Sequence, residues 1–181
     1  MSAQKEKDSL PIGSDALFSF LQNHEIEFRR EDHEPVFTVE DSKSLNLKLQ
    51  GGATKNLFLR DKKGKRHFLL SMEQEKQVDL KSLSALINSS RLSLGSSDRL
   101  LKHLGVLSGA VSLLALVNDR SLSVEVLIDQ DLWHCGVILC HPLVNSSTLA
   151  ISCEDLELFF LRTGHSFQLV EIPSKTILAD Q

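Results

Sequence analysis

Three short polar groupings carry residue types that could do chemistry, and each sits where a loop meets a sheet-forming run. Lys55-Asn56 follows the Gly51-Gly52 break and opens an alternating apolar segment. A lysine there is either solvent-facing or, approached through glycines, able to reach a phosphate. His141-Pro142-Leu143-Val144-Asn145-Ser146-Ser147-Thr148 follows directly on an apolar run. It reads either as a capped turn or as the polar wall of a pocket at a strand end. Gly164-His165 lies between a helix and a strand. His165 either completes the helix, whose C-terminal end favours a positive charge, or faces a ligand. The three groupings can converge only if their strands are neighbours.

Other chemistries find no support in the motifs. Glycine-rich dinucleotide and phosphate loops, a G-x-S-x-G elbow and H-E-x-x-H are all missing. No paired carboxylates or Ser–His–Asp order stand out. His134, Cys135, Cys140 and His141 invite a zinc reading, but their spacing fits no common structural-zinc pattern. The expectation is therefore no metal and no cofactor. A hydrolase built from this set would position a water and use backbone donors rather than an activated side-chain nucleophile. The three cysteines, Cys135, Cys140 and Cys153, form no C-x-x-C pair and read as reduced thiols.

Composition narrows the class further. The chain has 181 residues, 41% hydrophobic and 24% charged, with a net charge of -4. That suits one folded domain with its own core. Such a balance excludes a generic basic nucleic-acid coat but leaves shape-specific contact with a folded RNA open. The one dense basic run, Arg60 to Arg66, contains Lys62, Lys63, Lys65 and Arg66. It is either a solvated hairpin tip or a phosphate contact. The polar N-terminus lacks an apolar signal core, and no apolar stretch approaches the roughly 20 residues needed to cross a bilayer. The expected location is the cytoplasm.

The elements that must position these groups are partly legible. Residues 1–12 read as a flexible tail and 175–181 as a second one, leaving a single domain over 13–174. Ser14 can cap a first helix through Leu17 and Leu21. Phe28 to Arg30 can begin a strand. Thr38 and Asp41 form a capping box, so a helix should start at Val39. Residues 55–73 alternate around a polar turn with Gly64, an antiparallel hairpin. Asp79 and Ser96 or Ser97 can cap two further helices, the second stopped by Gly105. Residues 111–117 are strongly apolar. Strands are expected at 123–128, 137–140, 148–152 and 167–172, with Trp133 leading into the second of these. Ser152 caps a last helix ending at Gly164. Hairpins mixed with helical crossovers predict an α/β (α+β) fold with a mixed, largely antiparallel sheet packed by helices.

Several segments, in order, carry a resemblance. They are H33-E-P-V-F-T-V-E-D, G51-G-A-T-K-N-L-F-L-R-D-K-K-G, L104-G-V-L-S-G-A-V-S, H141-P-L-V-N-S-S-T-L and F160-L-R-T-G-H. Through them residues 14–170 resemble the free-standing prolyl-tRNA editing proteins, relatives of the insertion domain of bacterial prolyl-tRNA synthetase. Within that group the likeness is to the branch that clears alanine from tRNA-Pro. The resemblance implies an aminoacyl-tRNA deacylase acting in trans, without metal, on mischarged tRNA-Pro, with the substrate's ribose hydroxyl assisting. It implies catalytic roles for Lys55, Asn56 and His141, with Lys55 on the phosphate near the terminal adenosine. It also implies that Gly109, Asn145 and Thr148 line the aminoacyl pocket and that Gly164-His165 closes it. Lys62, Lys63, Lys65 and Arg66 would be tRNA contacts, and prolyl-tRNA synthetase or an elongation factor a transient partner. Ser108 stands where the family commonly has proline. Neighbouring branches edit cysteine and serine errors, and a non-catalytic tRNA- or synthetase-binding module is the alternative reading.

Overall fold

The computed structural model describes residues 10–174. The expected tails fall mostly, at the N-terminus, and wholly, at the C-terminus, outside the described residues. Ile12 is tied down, its amide donating to Asn118 Oδ1 at 2.8 Å.

Eight strands and six α-helices alternate along the described chain. They are α1 (Ser14–Asn23), β1 (Arg29–Asp32), α2 (Val39–Ser44), β2 (Thr54–Arg60), β3 (His67–Glu73), α3 (Leu80–Leu86) and β4 (Ser93–Leu94). Then come α4 (Ser97–Leu104), β5 (Val124–Asp129), α5 (Gln130–His134), β6 (Val137–Cys140), β7 (Ser147–Ser152), α6 (Cys153–Thr163) and β8 (Phe167–Val170). The local chemistry sets most boundaries. Thr38 and Asp41 make the reciprocal capping box at α2. Asp79, Ser96 and Ser152 cap α3, α4 and α6 through their side chains. Gly105 and Gly164 end α4 and α6 in the left-handed conformation that a Cβ disfavours. At α1 the cap is Gly13, and Ser14 is the first helical residue.

Two sheets form where one mixed sheet was expected. The smaller has the order β1-β7-β6 and is antiparallel throughout. The larger has the order β4-β2-β3-β5-β8. Its β2 pairs are antiparallel, whereas β3-β5 and β5-β8 are parallel. A single bridge joins them, Gly52 lying parallel to Ile138. Gly52 has no room for more than hydrogen there. A Cβ would come within 2.7 Å of Leu132 Cδ1. Leu132 belongs to α5, which forms in the segment expected to lead straight into β6.

The main core lies between the two sheets and under α1 and α6. Leu17, Leu21, Phe58, Leu69, Ile128, Ile138, Leu149, Ile151, Phe159 and Phe160 meet there, together with the apolar run at 113–118, which forms a 3-10 helix. A second cluster on the opposite face of the larger sheet packs Leu59, Phe68, Leu70 and Met72 against Leu83 of α3. Every strand of the larger sheet but the edges is thus covered on both faces, which suits parallel neighbours.

Candidate active site

Strand register decides which polar groups share a face, because successive side chains point to opposite sides. Counting three residues on from the parallel bridge Gly52↔Ile138 leads to Lys55 on one strand and His141 at the end of the other. Cys140 opposes Leu149, so His141 lies level with Thr148, which opposes Glu31 on β1. Lys55, His141, Thr148, Glu31 and His33 all fall on the face turned away from the main core. Leu139 O, accepting from Thr54 Oγ1 at 3.0 Å, ties β2 to β6 just before the two strands part.

The face is organised by direct contacts. His33 stands 6.3 Å from His141, ring centroid to centroid. Its Nδ1 lies 2.8 Å from Glu34 O and its Nε2 2.8 Å from Thr148 Oγ1. A carbonyl only accepts, so in the neutral ring the proton sits on Nδ1 and Thr148 donates to Nε2. His141 Nδ1 similarly donates to Ser147 O at 3.0 Å. That tautomer leaves His141 Nε2 as an acceptor. Burial pushes the His141 imidazole below its usual range, the Ser147 carbonyl opposes this, and nearby His33 adds to the lowering. His141 is therefore neutral at pH 7. Ser112 Oγ donates to its carbonyl at 2.6 Å. Two residues on, Leu143 holds φ +65, a left-handed conformation unusual for a branched side chain.

Asn145 clamps the end of this face. Its Nδ2 donates to Val36 O at 2.8 Å, and its carbonyl accepts from the Val36 amide at 3.0 Å. Gly109 lies alongside. A Cβ built there would stand 3.6 Å from Asn145 Nδ2 and 3.8 Å from Phe37 Cδ1. At the other end Lys55 Nζ donates to Lys76 O. The turn bearing Lys76 is pinned by its own ammonium, 2.8 Å from the buried Asp129 and 2.6 Å from Asp131. Lys43 of α2 pairs with Glu75 of the same turn at 2.8 Å. Helix α2 thus runs from the Asn145 end to the Lys55 end along the rim.

Not every residue assigned from sequence joins this set. Asn56, next to Lys55 in a strand, must face the other way. It opposes Ser71 on the core side, and Asn56 Oδ1 and Ser71 Oγ are both buried without a hydrogen-bond partner. Gly164 and His165 lie at the opposite end of the larger sheet. His165 Nε2 is 3.3 Å from Asp119 Oδ2, and Asp119 also accepts from the amide of Val124, where β5 begins. Lys55 is level with the far end of β5, five residues or about 17 Å away. The basic turn is also remote, since Arg60 ends the strand and Lys55 lies near its start. Arg66 there is engaged with Glu125 at 2.7 Å, while Lys62, Lys63 and Lys65 are exposed. A groove of about 630 Å³ between α1, the 113–118 helix and α6 contains none of the assigned residues. Two of the three thiols are held protonated by burial. Burial pushes Cys140 up to about 12 and Cys153 to about 11, the latter aided by Cys135.

His33, Val36, Phe37 and Ser112 complete the site without having been assigned to it. Their one signal was that they belong to two of the segments carrying the resemblance, the one opening at His33 and the one ending at Ser112.

Residues 33–159, which hold all of this face but Glu31, match the family model for the aminoacyl-tRNA editing domain. The chain belongs to the aminoacyl-tRNA editing domain family. Among similar family members is the prolyl-tRNA editing protein ProX of Acetoanaerobium sticklandii, 36% identical over 157 residues, 87% of this chain and 96% of that one. Another is the prolyl-tRNA synthetase associated domain-containing protein 1 of Danio rerio, 39% identical over 152 residues, 83% and 82% of the two chains. A solved structure of a candidate trans-editing enzyme for prolyl tRNA synthetase superposes with a TM-score of 0.66 at 14% identity, covering 92% of this chain and 100% of that one. That likeness establishes the editing-domain fold, with mixed sheets packed by helices. Among the described residues, no helix is long and apolar enough to cross a membrane.

Proposed function

We propose that this editing-domain protein hydrolyses, in trans, the ester joining alanine to the terminal adenosine of tRNA-Pro. The observation that carries the reading is the shared face of Lys55, His141 and Thr148, closed at one end by Gly109 and the Asn145–Val36 clamp. Water oxygen attacks the ester carbonyl carbon. The bond from that carbon to the ribose oxygen then breaks. The water's proton passes to the departing ribose oxygen, directly or through the neighbouring ribose hydroxyl, and the products are free alanine and uncharged tRNA.

Each residue has a defined part. The ammonium of Lys55 spends one of its three donors on Lys76 O, leaving two for the phosphate beside the terminal adenosine. His141 Nε2, neutral and accepting, orients the water or the substrate's ammonium. Thr148, its hydroxyl committed to His33, sets the width of the wall. Size exclusion supports alanine over proline, because a pocket rejects the larger group on steric grounds, whereas a synthetase site discriminates against the smaller one by only about 1–3 kcal/mol per methylene.

The test is a deacylation assay at catalytic protein concentration with Ala-, Pro-, Ser- and Cys-tRNA-Pro. Multiple-turnover release of alanine alone is the expected result. Release of serine or cysteine instead would overturn the substrate assignment, and stoichiometric protection without release would overturn the reaction.

Gly109 offers a narrower check on the pocket. A Cβ there makes only ordinary contacts at 3.6 Å and beyond. Gly109→Ala should therefore melt within about 2–4 °C of the parent, a change of less than about 1 kcal/mol. Added bulk beside Asn145 should nevertheless lower kcat/KM for Ala-tRNA-Pro about tenfold, the size expected for one methyl in a tight pocket. Unchanged kinetics would place Gly109 outside the aminoacyl pocket.

A further inference from the structure

Phe37 is 75% exposed, although no other aromatic ring lies within stacking range of it among the described contacts. Exposed phenyl rings are usually mobile. This one is carried on a backbone fixed from several sides. Its amide donates to Asp41 Oδ2 at 3.0 Å. The preceding Val36 is buried and held in both directions by Asn145. The following Thr38 is the cap of α2. The ring edge passes over the Gly109 loop, 3.8 Å from where a Cβ of Gly109 would stand. The loops bearing Gly109 and Asn145 meet there, and each carries an exposed aliphatic residue close in sequence, Leu107 at 69% and Val144 at 36%.

We propose that Phe37 is a stacking platform for the unpaired terminal nucleobase of the RNA substrate. The inference rests on the proposed function and follows from the substrate's covalent connectivity. The aminoacyl ester is made to the ribose of the last nucleotide, so its base lies one sugar ring from the reacting carbonyl. With the aminoacyl group between His141, Asn145 and Gly109, that base must settle at the rim of the same recess. The one exposed aromatic side chain at this rim is Phe37. A π-face on a rigid backbone suits stacking and gives little base specificity. Affinity for the last nucleotide then comes from the ring, while Lys55 at the other end of α2 holds the phosphate.

The test uses the full chain and three variants, Phe37→Ala, Phe37→Tyr and Phe37→Trp. The ring packs on no core residue, so all three should fold as the parent does. On Ala-tRNA-Pro, Phe37→Ala should raise KM about tenfold or more with kcat little changed, and Phe37→Tyr should restore KM. A merely structural role would not give this split or the rescue by tyrosine. In parallel, tryptophan fluorescence of Phe37→Trp is titrated with uncharged tRNA-Pro and with the same tRNA lacking its terminal adenosine, Trp133 in the parent providing the baseline. Quenching by the first and not by the second supports stacking even if no deacylation is found. Equal quenching by both, or an unchanged KM in Phe37→Ala of an active enzyme, overturns it. Quenching by prolyl-tRNA synthetase and by neither RNA would make the patch a protein contact and likewise overturn it.

Discussion

Replacing Lys55 by alanine will lower the rate of deacylation of Ala-tRNA-Pro about 100- to 1,000-fold and leave the fold intact. That magnitude is what removal of one preorganised charged or oxyanion-directed group costs an enzyme. The side chain is half-buried and donates one hydrogen bond, to Lys76 O. Truncation frees a carbonyl that water can reach, so the melting temperature should move by less than about 2–4 °C. The assigned partner also makes a separate prediction. If Lys55 neutralises a phosphate, the slope of log affinity for tRNA against log salt should fall by about one in the variant. Lys55→Arg should recover the salt slope but not the full rate. A planar fork cannot make the same Lys76 contact and meet the phosphate as a compact ammonium does. A Lys55→Ala protein that turns over like its parent removes Lys55 from the mechanism. Lost activity with an unchanged salt slope keeps the residue but denies it the phosphate.

Asp119 should produce the opposite pattern, a loss of stability with little change in chemistry. It is 3% exposed and accepts from the amides of Ser123 and Val124, from the hydroxyls of Ser121 and Ser123, and lies against His165. Burial alone would raise its carboxyl. The His165 contact and the Ser123 and Val124 hydrogen bonds outweigh burial and hold it at about 2. Asp119→Ala leaves two buried amides and an imidazole without their acceptor, a loss of about 3–5 kcal/mol, or roughly 10 °C in melting temperature. Asp119→Asn keeps one acceptor oxygen and should fall between. The sign of the pH effect follows from the depressed carboxyl. The folded protein prefers the charged form, so this stability is complete above the ordinary carboxylate value of 3.8 and drains away as pH falls towards 2. The alanine variant should lose that part of the acid sensitivity. At temperatures where it is folded, its kcat/KM should match the parent, because this cluster lies at the end of β5 remote from Lys55. A large fall in kcat/KM of the folded variant would restore Gly164 and His165 to the substrate site.

What the sequence disclosed follows the range of the forces involved. The capping box at Thr38, the caps at Asp79, Ser96 and Ser152, and the glycine stops at 105 and 164 are contacts within a few residues, and they were readable one turn at a time. The 55–73 hairpin was legible because alternation and a turn glycine, Gly64 at φ +64, specify the same register. The division into two sheets was not, because it depends on one bridge between residues 86 positions apart, Gly52 and Ile138. Helix α5 was also hidden, its five residues too few to show a period. Lys55, His141, Asn145 and Thr148 stood out as candidates by residue type and Gly109 through the resemblance alone, and the fold brings Gly109 beside Asn145 and Thr148 beside His33. Asn56 was placed beside Lys55 by adjacency and by the resemblance, whereas strand alternation turns it towards Ser71 on the core side. His165 has a histidine's chemical promise but a structural partner, and only the fold reveals which.

The seam between the sheets also bears on how the protein becomes active. Lys55 belongs to the larger sheet and His141 to the end of a strand in the smaller one. Their alignment exists only once Gly52 has bridged Ile138. The proposed catalytic face thus depends on one contact between residues 86 positions apart, and a chain whose two sheets had formed without joining would lack it.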